Sequence, residues 1–236
     1  MTDYTTLERQ LSEQLRLERR PIALAFRESA PPGVSPFVGA QPSTCSFWRL
    51  AAQGRVFYTL ASDHYNCPIG SYTHNIPLPV DRVRDLEQVL NLLTTIRYVR
   101  MEEVPNIPRL PTTPGVIIYA PLGETPVDPD VVLFSGCPAR MMLLQETALR
   151  AGIVPQVNAL PRPTCMAIPA ALTMGMVVSS ACIGNRVYTG LDDGEMYIAV
   201  RGTDVTRIAA EAETIAEANM ALLQYHSDRR QSLATC

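Results

Sequence analysis

Two stretches of the chain carry the residues best suited to chemistry. Residues 44–73 contain Thr44-Cys45, a short apolar segment, Gly54, a β-prone run and then Cys67-Pro68-Ile69-Gly70-Ser71-Tyr72-Thr73. Residues 164–189 repeat that order in diluted form, from Thr164-Cys165 to Cys182-Ile183-Gly184-Asn185-Arg186-Val187-Tyr188-Thr189. Cys45 and Cys67 thus match Cys165 and Cys182, and the recurrence reads as an internal duplication. Such thiols admit three readings: a reactive thiolate, a set of metal ligands, or inert buried side chains. Cys137, expected at a helix N-cap where its thiol pKa should fall, is either a cap or a nucleophile. His64, one of 3 histidines, offers a proton donor, a metal ligand or an ordinary polar turn residue. Arg186 and Glu195 could bind an anionic substrate and act as acid or base, or simply pair with each other.

Composition removes several alternatives. All 20 basic residues are Arg, so a Schiff-base lysine, a pyridoxal site and a Walker A phosphate loop are excluded. The GxGxxG, GxSxG and HExxH patterns do not occur either. A net charge of −3 argues against nucleic acid or an anionic membrane as partner. No apolar run approaches the roughly 20 residues that span a bilayer, and residues 1–20 read as a polar helix rather than a signal peptide. The expectation is a cytoplasmic protein, whose cysteines should be reduced.

The elements that must position these residues follow from periodicity. Leu7, Leu11 and Leu15 mark a first amphipathic helix, and residues 21–26, 55–61, 115–120, 130–134, 153–160, 176–180 and 196–200 read as strands. A helix over residues 45–53 places Cys45 in its first turn, with Gly54 as its stop. Val83, Leu86, Leu90 and Leu93 suggest a helix whose stripe faces the core. A helix from Pro138 to Arg150 and a long one from Asp204 to about Tyr225 complete the set, the latter with Val205, Ile208, Ala212 and Ile215 inward and a frayed tail after residue 227. Pro169, four residues after Cys165, should delay or kink the helix there. Residues 76–93 and 198–215 also run alike, each from a short apolar strand into a helix. Prolines at 105, 108, 111 and 114 read as a linker, dividing the chain into halves at 1–104 and 105–236. Either two half-domains or one compact pseudo-symmetric domain results, α/β or α+β, with sheets covered by helices.

Taken together, Ala51-Ala52-x-Gly54 after the first Cys, Asp63-His64-x-x-Cys67-Pro68-x-Gly70, Cys165, and Cys182-x-Gly184-x-Arg186 followed by Glu195 resemble the uncharacterised family grouped as domain of unknown function 169, or ArCR. The resemblance implies that Cys45, Cys67, Cys165 and Cys182 are the family's characteristic cysteines. Four thiolates suit a [4Fe-4S] cluster or a structural zinc, although the spacings are far longer than those of compact zinc knuckles or ferredoxin loops. The expected function is that of an iron–sulfur protein with a redox, Lewis-acid or sulfur-transfer role, leaning toward an enzyme of unknown reaction. The alternatives are a zinc-stabilised or metal-free small-ligand module and a thiol enzyme using Cys137 or Cys67 with His64. The expected partner is a small-molecule substrate or a redox protein.

Overall fold

The computed structural model describes residues 2–157 and 162–234. Seven strands form one sheet in the order β2-β3-β1-β4-β7-β6-β5. They are β1 (Ile22–Arg27), β2 (Phe57–Thr59), β3 (Val116–Pro121), β4 (Val131–Gly136), β5 (Gln156–Val157), β6 (Met176–Ser179) and β7 (Met196–Arg201). Every pairing is antiparallel except that of β5 with β6. The helices are α1 (Tyr4–Gln14), α2 (Cys45–Ala52), α3 (Pro68–Thr73), α4 (Val83–Thr95), α5 (Pro138–Arg150), α6 (Ala167–Met174), α7 (Ile183–Thr189) and α8 (Val205–Ala234). The mixed α/β class expected from the sequence is therefore observed.

Strand alternation sends consecutive side chains to opposite faces of the sheet and so divides the core in two. Ala23, Val132, Phe134, Ile198 and Val200 pack with Leu11 of α1, Leu144 of α5 and Ile208 of α8. Leu24, Tyr119, Leu133, Val177 and Ala199 pack on the other face with Phe47 and Trp48 of α2 and Ile168 of α6. Cys45 and Cys165 belong to this second layer. One face is thus closed by long amphipathic helices, and the other carries the cysteine-bearing helices.

Several boundaries differ from those expected. The linker assigned to residues 101–114 does not divide the sheet, because β3 follows it and pairs with β1 and β2. Residues 76–79 form no strand, so the expected likeness of residues 76–93 to residues 198–215 fails at its start. In sheet position β7 is instead the counterpart of β3: matching β1, β2 and β3 with β4, β6 and β7 turns the order β2-β3-β1 into β4-β7-β6 on the far side of the β1–β4 pair. Strand order alone does not show duplication, and the halves differ in length. The strand expected at residues 153–160 is reduced to β5, and residues 158–160 lie outside the described residues. A short 3-10 turn, Thr164–Met166, precedes α6, so Pro169 falls in the first helical turn, where its missing N–H is tolerated.

Helix α8 continues well past residue 227 instead of fraying. Its first half is pinned by Ile208 and Ala212, both buried, whereas Leu222, Leu223 and Tyr225 are exposed. Ile208→Ala should therefore cost about 2–5 kcal/mol in urea denaturation. Leu223→Ala should stay within about 0.5 kcal/mol; equal losses would mean that the helix packs along its whole length.

Candidate functional site

Cys45, Cys67, Cys165 and Cys182 line one pocket of about 510 Å³. Each lies at the start of a helix. Cys45 is the first residue of α2, Cys67 and Cys182 precede α3 and α7 as N-caps, and Cys165 sits in the turn before α6. The two halves interlock here, α2 packing on α7 and α3 against the turn that carries Cys165. All four are free thiols, Cys45 and Cys165 buried and the other two half-buried.

The threonines that open each sequence copy explain this arrangement. Thr44 does not cap α2 with its side chain. Its hydroxyl instead meets His64 Nδ1 at 3.1 Å, while His64 Nε2 meets Thr59 Oγ1 on β2 at 2.8 Å. A neutral imidazole fits this network: Thr44 donates to Nδ1, Nε2–H donates to Thr59, and Thr59 donates to the Ile117 carbonyl. Thr164 does the equivalent work in the second half by accepting from the Cys182 N–H at 2.6 Å. Thr44 is in this way tied to the turn just before Cys67, and Thr164 directly to the Cys182 backbone.

Gly70 completes the first half. A Cβ there would collide with the Thr44 side chain and with Cys67 Sγ, so only glycine lets α3 lie against the segment leading to Cys45. The Gly70 N–H donates to Cys67 Sγ at 3.3 Å, and Ser43 Oγ lies 3.5 Å from the same sulfur. Both contacts place hydrogen-bonding groups at the Cys67 sulfur.

Electrostatically the thiols sense one another. Burial, then repulsion from Cys67 and Cys182, pushes the Cys45 thiol well up, with the Asn185 amide opposing the shift. Burial and the charges of Cys45, Cys67 and Cys182 likewise push Cys165 up. Asn185 is 1% exposed, lines the pocket, and has neither amide atom in a hydrogen bond of normal geometry. A mononuclear zinc would need sulfurs about 3.8 Å apart, the edge of a tetrahedron with Zn–S bonds near 2.3 Å. Among the described residues no group of three or more His, Cys, Asp or Glu side chains is set to hold a metal ion. The thiols are neighbours around a cavity rather than a closed mononuclear shell.

The other candidates lie elsewhere. His64 is 1% exposed, does not line the pocket, and is held neutral by burial and by repulsion from His74. Arg186 and Glu195 do not pair: Arg186 meets Asp193 at 2.7 Å, and Glu195 is held by Arg19 at 2.9 Å. Neither lines the pocket. Cys137 precedes α5 without a side-chain capping bond and is also absent from the lining. Cys236 lies outside the described residues.

Much of the rest of the lining comes from a segment read from sequence as core stripe and linker. No residue of α4 is buried; Leu90 and Leu93 face the pocket, joined by Tyr98, Glu103 and Ile107 from the chain that follows. Arg162 also contributes, its guanidinium over the Tyr98 ring at 4.6 Å. Helical periodicity located the α4 stripe but assigned it to the core, since periodicity reports an apolar face and not what fills the space against it.

Two outcomes test this geometry. Gly70→Ala should lower stability by about 1–3 kcal/mol, because the methyl displaces Thr44 or Cys67; a neutral result in chemical denaturation would contradict the close approach. His74 is fully buried, and burial lowers its pKa to about 4. The unfolded chain with a histidine pKa near 6.5 binds the proton first, so stability is retained above about pH 6.5 and lost as pH falls toward 4, by about 2–3 kcal/mol for this group. Urea titrations should show His74→Leu losing less stability than the parent between pH 7 and 4.5, and parallel losses would refute the assignment.

Residues 10–211 match the family profile described as uncharacterised ArCR, domain of unknown function 169. No curated protein and no solved structure matches the chain.

Proposed function

From the premise that the chain belongs to this ArCR family, whose description assigns no reaction, we propose that it is a [4Fe-4S] cluster-binding protein held by Cys45, Cys67, Cys165 and Cys182. The observation that carries the reading is that four thiols, the first of each pair (Cys45 and Cys165) 120 residues apart, line a single cavity at the starts of helices. Thiolates gathered at one cavity would repel one another, and a cationic metal would neutralise them. The donor set is all sulfur, which matches iron–sulfur and excludes hard cations such as magnesium and calcium. Thiols grouped around a cavity favour a multinuclear cluster over a single zinc.

The chain's own groups supply the surroundings. Gly70 N–H and Ser43 Oγ address Cys67, and Asn185 faces Cys45. Hydrogen bonds to the sulfurs raise a cluster's potential, and apolar walls restrict water at it. His64 acts by position, tying Thr44 to β2 so that Cys45 points into the cavity. When bound, a cluster would supply one-electron redox chemistry, or Lewis acidity or sulfur transfer at an iron with an open position. No helix among the described residues is long and apolar enough to cross a membrane.

Purified or reconstituted without oxygen, the protein should be brown and contain about four irons and four acid-labile sulfides per chain. Serine at any of the four positions should strip or destabilise the cluster, while Cys137→Ser should leave the absorbance intact. A colourless preparation that takes up neither iron nor sulfide would overturn the proposal, and stoichiometric zinc in its place would select the zinc alternative.

A further inference from the structure

The pocket is larger and more apolar than four thiols require. Its volume of about 510 Å³ lies within the range of small-molecule sites, roughly 300–1,000 Å³. Away from the sulfurs it is lined by Leu90, Leu93, Val99, Val104 and Ile107. Helix α4 explains why: an amphipathic helix of 13 residues that buries none of them has left its apolar face to the cavity. A helix of this kind gains little from folding unless its apolar face is covered.

Charge narrows what can cover it. Glu103 and Arg162 are the only charged residues of the lining among the described residues. Glu103 is already engaged by Arg100, through the backbone N–H at 3.2 Å and Nε at 3.1 Å, and these bonds hold its carboxyl below the usual range. Arg162 keeps one ion pair, to Glu103 at 3.4 Å, and its Nε has no hydrogen-bond partner among the described residues. A guanidinium presents five donors in a planar fork matched to carboxylate oxygens. Arg162 is therefore an incompletely satisfied cation beside an apolar chamber. Asn185, whose amide makes no hydrogen bond of normal geometry among the described residues, provides a polar group near the thiols.

We infer that this chamber binds an amphiphilic organic carboxylate, its acid group on Arg162 and its apolar body along α4 and the segment after it. The inference names the substrate class of the cysteine site proposed above and rests on that reading for its catalytic meaning, but the binding itself requires only the chamber. An uncharged molecule of equal shape would leave Arg162 unmatched. A small inorganic anion would leave the apolar walls uncovered.

The test uses 4-phenylbutyrate and its uncharged counterpart 4-phenylbutan-1-ol, each titrated calorimetrically into the full chain with and without reconstituted iron and sulfide. The acid should bind at least about tenfold more tightly than the alcohol, as a charge-assisted contact predicts. Arg162→Gln should abolish that preference while retaining alcohol binding, Arg162→Lys should keep part of it, and Leu93→Asp should weaken both ligands. Circular dichroism of each variant confirms that the fold persists. Failure of both compounds to bind, or an acid preference unchanged in Arg162→Gln, would overturn the inference. Iron analysis of the same samples separates the two claims. Selective binding by protein that takes up no iron sinks the cluster and leaves the chamber, whereas a full cluster without binding does the reverse.

Discussion

Four thiols facing one largely apolar cavity cannot all ionise without a counter-charge, and burial already disfavours the thiolates of Cys45 and Cys165. That constraint connects the rest of the structure. It explains why Thr44 gives up helix capping to reach His64, why Gly70 has no side chain, and why Thr164 holds the Cys182 backbone. Each of these contacts helps fix a segment that carries a cysteine of the pocket.

The sheet provides the rigidity that this arrangement needs. Its outer face is sealed by α1, α5 and α8, so the thiol-bearing helices are packed on one side of a fixed platform. The cysteines of the two halves meet across the β1–β4 pair because β1 and β4 lie at the centre of the strand order. Their sequence separation is large, and convergence comes from topology rather than from a compact motif.

Much of this was legible in the sequence. The cysteine pairs, the buried strands at residues 116–121 and 131–136, and α2 beginning at Cys45 all follow from local signals: repeated residues, apolar runs and a glycine stop. Non-local features were not. The prolines of residues 101–114 suggested a boundary, yet β3 returns to pair with β1, and strand partnership is not written in local composition. The stripe on α4 was visible, but its placement over a cavity depends on what lies opposite. Arg162 and Asn185 gave no signal, since each matters through an unfilled hydrogen-bond position that exists only after folding. Pairing of Arg186 with Glu195 was plausible from proximity in sequence, and Arg19 takes Glu195 from a distance of 176 residues.

X-ray absorption at the iron edge of anaerobically prepared protein tests the central claim most directly, because it reads the atoms around the metal rather than its presence. The account predicts a first shell of sulfur at every iron and a resolved iron–iron shell, both lost when Cys45 and Cys165 are changed together to serine. A first shell of oxygen and nitrogen with no iron–iron scattering, or a spectrum indifferent to that double substitution, would contradict it.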